Sequence, residues 1–265
     1  MDLGMTGRVA VITGGSMGIG KAIATSLVAE GVRVALLARG EEALNETAGE
    51  LGSGGEVIAV TADLSDPASV NDAATQVSEQ LGTVNILVNN AGHRMRRMDR
   101  QILWEDDDWI SDIDVKTVGM LRTIRAFLPN MATDGTGRVI NVSGVAGSVV
   151  LHGALTHGIN NAAMQMATKY LAKDLTAEKI TVNSVSPGLV ATEWRQEWAQ
   201  MMGDKQGITA EEFLDAYYTQ VGIFSHRWTQ SSEVGDLVTY LASDRSVSIN
   251  GTVIEIDGGL TANAR

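Results

Sequence analysis

Short runs that are apolar at nearly every residue alternate along this chain with longer segments whose apolar residues recur every three or four positions. The pattern predicts strands at Val9-Ala10-Val11-Ile12, Val32 to Leu37, Val57 to Thr61, Ile86-Leu87-Val88, Val139 to Val142, Thr181 to Val185 and Val253 to Ile256. Ile19, Ile23 and Leu27 recur at helical spacing between the first two. Asp66-Pro67 supplies a capping acceptor followed by proline at the first helical position, and Val70, Ala74, Val77 and Leu81 give that helix one apolar face. A longer helix is predicted from Asp108 to Asn130. Strands apolar on both sides, joined by crossover helices, predict an α/β fold: a doubly wound parallel sheet of the Rossmann type, seven strands with helices on both faces. Ligands then bind outside the carboxyl ends of the strands. The one long interruption, Leu189 to Gln230, reads as two short helices around the Gly203 to Gly207 segment. The expectation is a single domain over 1–265 with a lid at about 189–230; peripheral packing is the other reading of that segment.

Composition narrows the partners. A chain of 265 residues can bury one large α/β core. A formal charge of -12 argues against nucleic acid and against an anionic membrane surface. With no cysteine, disulfides, thiolate catalysis and thiolate-bound metal are excluded. No apolar run reaches the roughly 18 residues of a spanning helix, and Met1 to Arg8 lacks a signal-like pattern, so the expected location is cytoplasmic. His93, His152, His157 and His226 show no metal-ligand spacing.

Candidate chemistry begins directly after the first strand. Thr13-Gly14-Gly15-Ser16-Met17-Gly18-Ile19-Gly20 opens a helix, where glycines permit a tight turn and close approach to a pyrophosphate, and the helix start offers free N–H groups. Four further motifs follow in order: Asp63-Leu64, Asn89-Asn90-Ala91-Gly92, Pro187-Gly188 with Thr192, and Ile256-Asp257-Gly258-Gly259. Together they resemble the short-chain dehydrogenase/reductase family over essentially the whole chain. The resemblance implies a dinucleotide-binding domain, a small-molecule substrate and a homo-oligomer, either tetramer or dimer. It assigns cofactor contacts to Gly14, Ser16, Met17, Gly18, Ile19 and Gly20, to Asp63 and Leu64 at the adenine, and to Asn90, Ala91 and Gly92. On the nicotinamide side it assigns Pro187, Gly188, Val190 and Thr192. An acidic residue at the end of the second strand would repel a 2′-phosphate; here Ala38 is followed by Arg39, which suits one. The cofactor is therefore read as NADP(H), with NAD kept as the alternative because Met17 stands where many NADP-preferring relatives carry a second base. The other reading of Arg39 is a solvated surface side chain.

The resemblance fails at the catalytic positions. The family uses a tyrosine, a lysine four residues later, a serine after the fifth strand and an asparagine on the preceding long helix. Through their neighbours, these positions hold His157, Asn161, Gly144 and Lys116. Ser143 is expected on the opposite face of its strand, and Tyr170 lies over three helical turns beyond His157. Two readings follow. In one, an oxidoreductase interconverts a carbonyl and an alcohol on a small metabolite, with His157 as acid, Lys116 restoring a positive charge and Asn161 in the lysine's place. In the other, the chain is a non-redox lyase or isomerase, or a dinucleotide-binding regulator. Taken singly, His157 reads as a packed helix histidine and Lys116 as a solvated one. Arg94, Arg96, Arg97 and Arg100 suggest an anionic substrate group, or a solvated loop balanced by Glu105 to Asp108. Trp194, Trp198, Tyr217, Tyr218, Phe224 and Trp228 suggest an aromatic or alicyclic substrate, or subunit contacts.

Overall fold

A computed structural model describes residues 3–92, 101–151 and 153–263. Each apolar run forms a strand: β1 (Val9–Thr13), β2 (Arg33–Ala38), β3 (Val57–Thr61), β4 (Ile86–Asn89), β5 (Arg138–Val142) and β6 (Thr181–Pro187). Two short strands, β7 (Val190–Ala191) and β8 (Thr229–Gln230), pair with each other outside the main sheet, and β9 (Val253–Ile256) completes it. The seven-stranded order is β3-β2-β1-β4-β5-β6-β9, all parallel. Both β2 and β4 pair with β1, so the winding reverses there and opens a crevice at the carboxyl ends of β1 and β4.

Burial on both faces explains the unbroken apolar runs. Ala10 and Ile12 join one core with Val34 and Leu36; Val9 and Val11 join another with Ala35 and Leu37. Strand residues alternate sides, so neither face can be polar. The first core is covered by α1 (Gly18–Ala29), α2 (Glu41–Gly52) and α9 (Ser231–Ala242) through Ile23, Leu27, Leu44, Val234 and Val238. The second lies under α3 (Pro67–Leu81), α5 (Gly119–Phe127) and α6 (Leu155–Asp174) through Val77, Leu81, Ile124, Phe127 and Met164. Asp66 caps α3 as its sequence predicts, accepting from the Ala68 N–H at 2.9 Å.

Two helical expectations are corrected. The segment expected as one helix from Asp108 to Asn130 starts earlier, as α4 (Asp106–Ile113), and widens into a π-helical turn at Asp114–Val118 before α5. Arg122 braces that turn, bonding the Asp114 carboxylate at 2.6 Å and the Leu64 carbonyl at 2.9 Å. In the 189–230 region, α7 (Glu193–Gln206) runs straight through Gly203 and stops at Gly207, whose φ of 69° is a left-handed cap. Thr209 and Glu212 then form the capping box of α8 (Ala210–Val221). The break thus falls between Gly207 and Thr209, because only Gly207 holds the positive-φ stop.

Candidate active site

At the carboxyl ends of the strands lies a cavity of about 1130 Å³, room for a dinucleotide with a small molecule beside it. The β1–α1 loop forms its floor. Gly14 sits at φ 66°, and a side chain on Gly20 would lie 2.0 Å from the Gly14 carbonyl oxygen, so the loop folds onto its own helix only with glycine there. Asn90 welds this loop to β4. Its side-chain amide donates to the carbonyls of Thr13 and Gly14 at 3.1 and 3.2 Å, while the Thr13 hydroxyl accepts the N–H groups of Asn90 and Ala91.

Four positions are aligned above with the family's catalytic residues. Gly144, His157, Asn161 and Lys116 all line this cavity. Asn161 occupies the space a side chain at 144 would need: its Nδ2 lies 2.9 Å from where a Cβ on Gly144 would be. Its Oδ1 is buried without a hydrogen-bond partner. His157 sits in the first turn of α6, which lacks a cap of its own; buried Gln101 supplies one, its Oε1 accepting the Thr156 N–H at 3.1 Å. Ser143 also touches the cavity, but its hydroxyl is committed to Ser184 Oγ at 2.8 Å within the sheet. Tyr170 is exposed on α6.

Lys116 projects from the π-helical turn, and its stem crosses Gly92, with Cδ 3.3 Å from where a Cβ on that glycine would lie. The residue keeps part of its surface on the cavity, yet protein surrounds its ammonium. Desolvation pushes it down to about 8, partly opposed by the carboxylate of Asp112 one turn back. Asp112 is buried and accepts from Asn160 Nδ2 at 2.9 Å; the Asn160 Oδ1 in turn accepts from the Thr117 hydroxyl.

Of the residues assigned to the cofactor, Ser16, Met17, Gly18, Ile19, Arg39, Asp63 and Leu64 line the cavity, as do Ala91, Gly92, Pro187, Gly188, Val190 and Thr192. Gly14 and Asn90 line it too, whereas Gly20 is buried behind the loop. Arg39 is exposed directly after β2. Arg94, Arg96, Arg97, Arg100, His93 and His152 lie outside the described residues. Of the aromatic residues expected over the substrate, four pack on one another together with Phe213: Trp198 meets Phe213 and Tyr217 edge-on at 5.3 and 5.4 Å, and Tyr218 meets Trp228 at 6.1 Å; the Trp194 side chain lies outside the described residues. None of these five lines the cavity, and Phe224 is 91% exposed. The five form a separate core with Leu189, Ile223 and Leu260. No local pattern signals Arg195, which reads as a surface helix position yet lines the cavity. Asp112 was hidden in an acidic, solvent-like run. Among the described residues, no group of three or more His, Asp or Glu side chains gathers as a metal site, and no helix is long and apolar enough to cross a membrane.

The model of the short chain dehydrogenase family matches residues 8–203. The oxidoreductase UcpA of Escherichia coli is 35% identical over 261 residues, 97% of this chain and 95% of that protein. Among solved structures, L-sorbose reductase from Gluconobacter frateurii, complexed with NADPH and L-sorbose, superposes with a TM-score of 0.91 at 28% identity, covering 98% of this chain and 99% of that one. An actinorhodin polyketide ketoreductase with NADPH superposes with a TM-score of 0.88 at 30% identity, covering 97% and 99%.

Proposed function

Since the chain belongs to the short-chain dehydrogenase family, we propose that it is an NADP(H)-dependent oxidoreductase interconverting a carbonyl and an alcohol on a small metabolite through a non-standard proton relay. One observation carries this reading: His157, Lys116 and Asn161 converge with the glycine loop on one cavity. The matched proteins named as oxidoreductases and reductases, two of them complexes with NADPH, favour it over a lyase, an isomerase or a regulator.

The residues fit the cofactor. The Gly14–Gly18 loop and the start of α1 suit its diphosphate, Arg39 its 2′-phosphate, and Asp63 with Leu64 its adenine. The buried, unpartnered Oδ1 of Asn161 suits a ribose hydroxyl, the task the family gives to a lysine at this position. Bound NADPH supplies the hydride that reaches the carbonyl carbon. His157 as imidazolium donates its proton to the alkoxide oxygen and is reprotonated from solvent. Lys116, when charged, stabilises the developing negative charge and makes His157 a stronger acid. Gly144 and Asn161 leave no hydroxyl where the family places its serine, so orientation of the carbonyl falls to His157.

The 189–230 segment is the substrate lid of one dinucleotide-binding domain. The substrate class is a small molecule carrying an anionic or an aromatic group. Exposed Ile110 on α4, Leu121 on α5, and Ile159, Met166 and Tyr170 on α6 present apolar surface suited to a homo-oligomer. The expected location is cytoplasmic.

The test is single-turnover oxidation of NADPH against a carbonyl panel across pH. His157→Ala should lose about 10²–10⁴-fold in rate with nearly unchanged NADPH affinity. Full activity in that variant removes histidine from the mechanism, and substrate turnover without NADPH consumption removes the redox reading.

A further inference from the structure

Residues 145–156 run from Gly144 to His157, two of the positions aligned with the family's catalytic residues. Of the described residues in this loop, Val145, Ala146, Leu151 and Ala154 line the cavity, and all four are apolar. Leu189, two residues beyond β6, lines it as well. The loop's serine is engaged elsewhere: Ser148 Oγ donates to Gln165 Oε1 at 3.3 Å, while Gln165 Nε2 donates to the Gly144 carbonyl at 3.2 Å. Gly147 lets the loop close onto α6, since a side chain there would lie 2.7 Å from the Ala162 nitrogen. The apolar residues are also supported from behind. Val145 and Leu189 are 2% and 5% exposed in the core that holds Phe213, Tyr218 and Trp228, and Leu151 packs against that core. Interiors are close-packed and yield little, so this wall keeps both its shape and its apolar face. Apolar surface laid against it displaces water favourably, whereas a hydroxyl or carboxylate laid there loses hydration without gaining a partner.

We propose that Val145, Leu151 and Leu189 determine specificity in this cavity, selecting a neutral carbonyl compound with an apolar body: an alicyclic or aryl ketone. This rests on the reading of the cavity as the site of a dinucleotide and a carbonyl substrate, and it names the substrate's chemistry. The carbonyl oxygen meets His157, and the apolar substituent lies along the three aliphatic side chains. Lys116 and Arg195 line the same cavity, so an anionic substrate is the competing class.

The experiment first reads binding without chemistry. Thermal-shift titrations with cyclopentanol, cyclohexanol and cycloheptanol are made with and without NADP+. Steady-state reduction by NADPH then compares the three corresponding ketones and acetophenone with acetoacetate. Each added methylene should tighten binding and raise kcat/KM about fourfold. Leu151→Asn should flatten that gradient and Leu151→Met should keep it. Val145→Thr, which retains the shape but adds a hydroxyl, should also flatten it. A wild type without the gradient overturns the proposal, as does a gradient that Leu151→Asn and Val145→Thr both leave intact. Acetoacetate turned over with a kcat/KM above that of every neutral ketone overturns it too, and gives the cavity to an anion. A graded affinity for the alcohols without NADPH consumption on any ketone would sustain the apolar wall while sinking the redox reading.

Discussion

Gly144 and Asn161 explain one another. With Asn161 Nδ2 lying 2.9 Å from the space a Cβ would take, a serine at 144 is excluded while Asn161 keeps its place. Gly144→Ala should destabilise the protein by about 1–3 kcal/mol through overpacking, and Asn161→Ala should relieve much of that cost; thermal melts of both single variants and the double variant measure the coupling. Lys116 gives a pH signature. Its ammonium is held at about 8 by burial, below the 10.5 of a free lysine. Below pH 8 both folded and unfolded chains carry the proton and the fold bears the cost of the buried charge. Between about 8 and 10.5 the unfolded chain binds more protons, so this group's contribution to stability rises with pH. Lys116→Met should therefore stabilise the protein at neutral pH by an amount on the order of 3 kcal/mol, shrinking towards pH 10. Denaturant titrations at several pH values check this; a gain independent of pH would show that folding leaves the lysine's proton affinity unchanged and that the effect comes from packing.

The 189–230 segment is joined to α9 by a defined contact between elements. Just after α8, Arg227 grips Glu233 in the first turn of α9 with two bonds of 2.8 and 2.7 Å, and Glu233 also accepts the Gln230 N–H at 2.7 Å. These bonds to the charged form, the arginine's first, hold the Glu233 carboxyl at about 2, below the 4.5 of a free glutamate. The stability it adds is complete above about 4.5 and lost as pH falls through about 2. Because the pair is largely exposed, solvent screening leaves about 1 kcal/mol or less. Glu233→Gln should lower the melting temperature by a few degrees at pH 6, and the difference should vanish below pH 2; a persistent difference there would assign the effect to packing. The helices themselves were legible where period and cap agreed, as at Asp66 and α3. The π-helical turn was not, since nothing in the Asp114–Val118 residues marks an extra residue in the turn; Arg122 reaching Leu64 and Asp114 braces it.

At the scale of the whole molecule, β2 ends at the mouth of the cavity with Arg39 exposed beside it, the placement on which the proposed role of Arg39 in cofactor choice rests. Replacing Ala38 with Asp and Arg39 with Ala should turn the preference from NADPH to NADH. The loss of one charge-assisted contact is worth roughly 1.5–3 kcal/mol, or about ten- to a hundredfold in NADPH affinity. Fluorescence titration with both dinucleotides reads it directly, and equal affinities in the wild type would refute the assignment. The sheet order makes this placement unavoidable: winding reverses at β1, so loops distant in sequence, after β1, β2, β4, β5 and β6, all open onto one cleft.

The sequence by itself determined the strands, the parallel sheet and the glycine loop, because these follow from local period, burial on both faces and the backbone freedom of Gly14. It also singled out Gly144, His157, Asn161 and Lys116 as candidate positions, which needs only spacing to be done, and all four line the cavity. Tertiary structure alone decided what those residues can do. Gly92 opens the path for the Lys116 stem, Asp112 tempers its desolvation, and Asn161 fills the gap at Gly144. It also turned Trp198, Tyr217, Tyr218 and Trp228 onto one another and onto Phe213, and left Arg195 on the cavity wall. These are through-space effects of burial and charge between residues that can lie tens of positions apart in the chain, and no local pattern carries them.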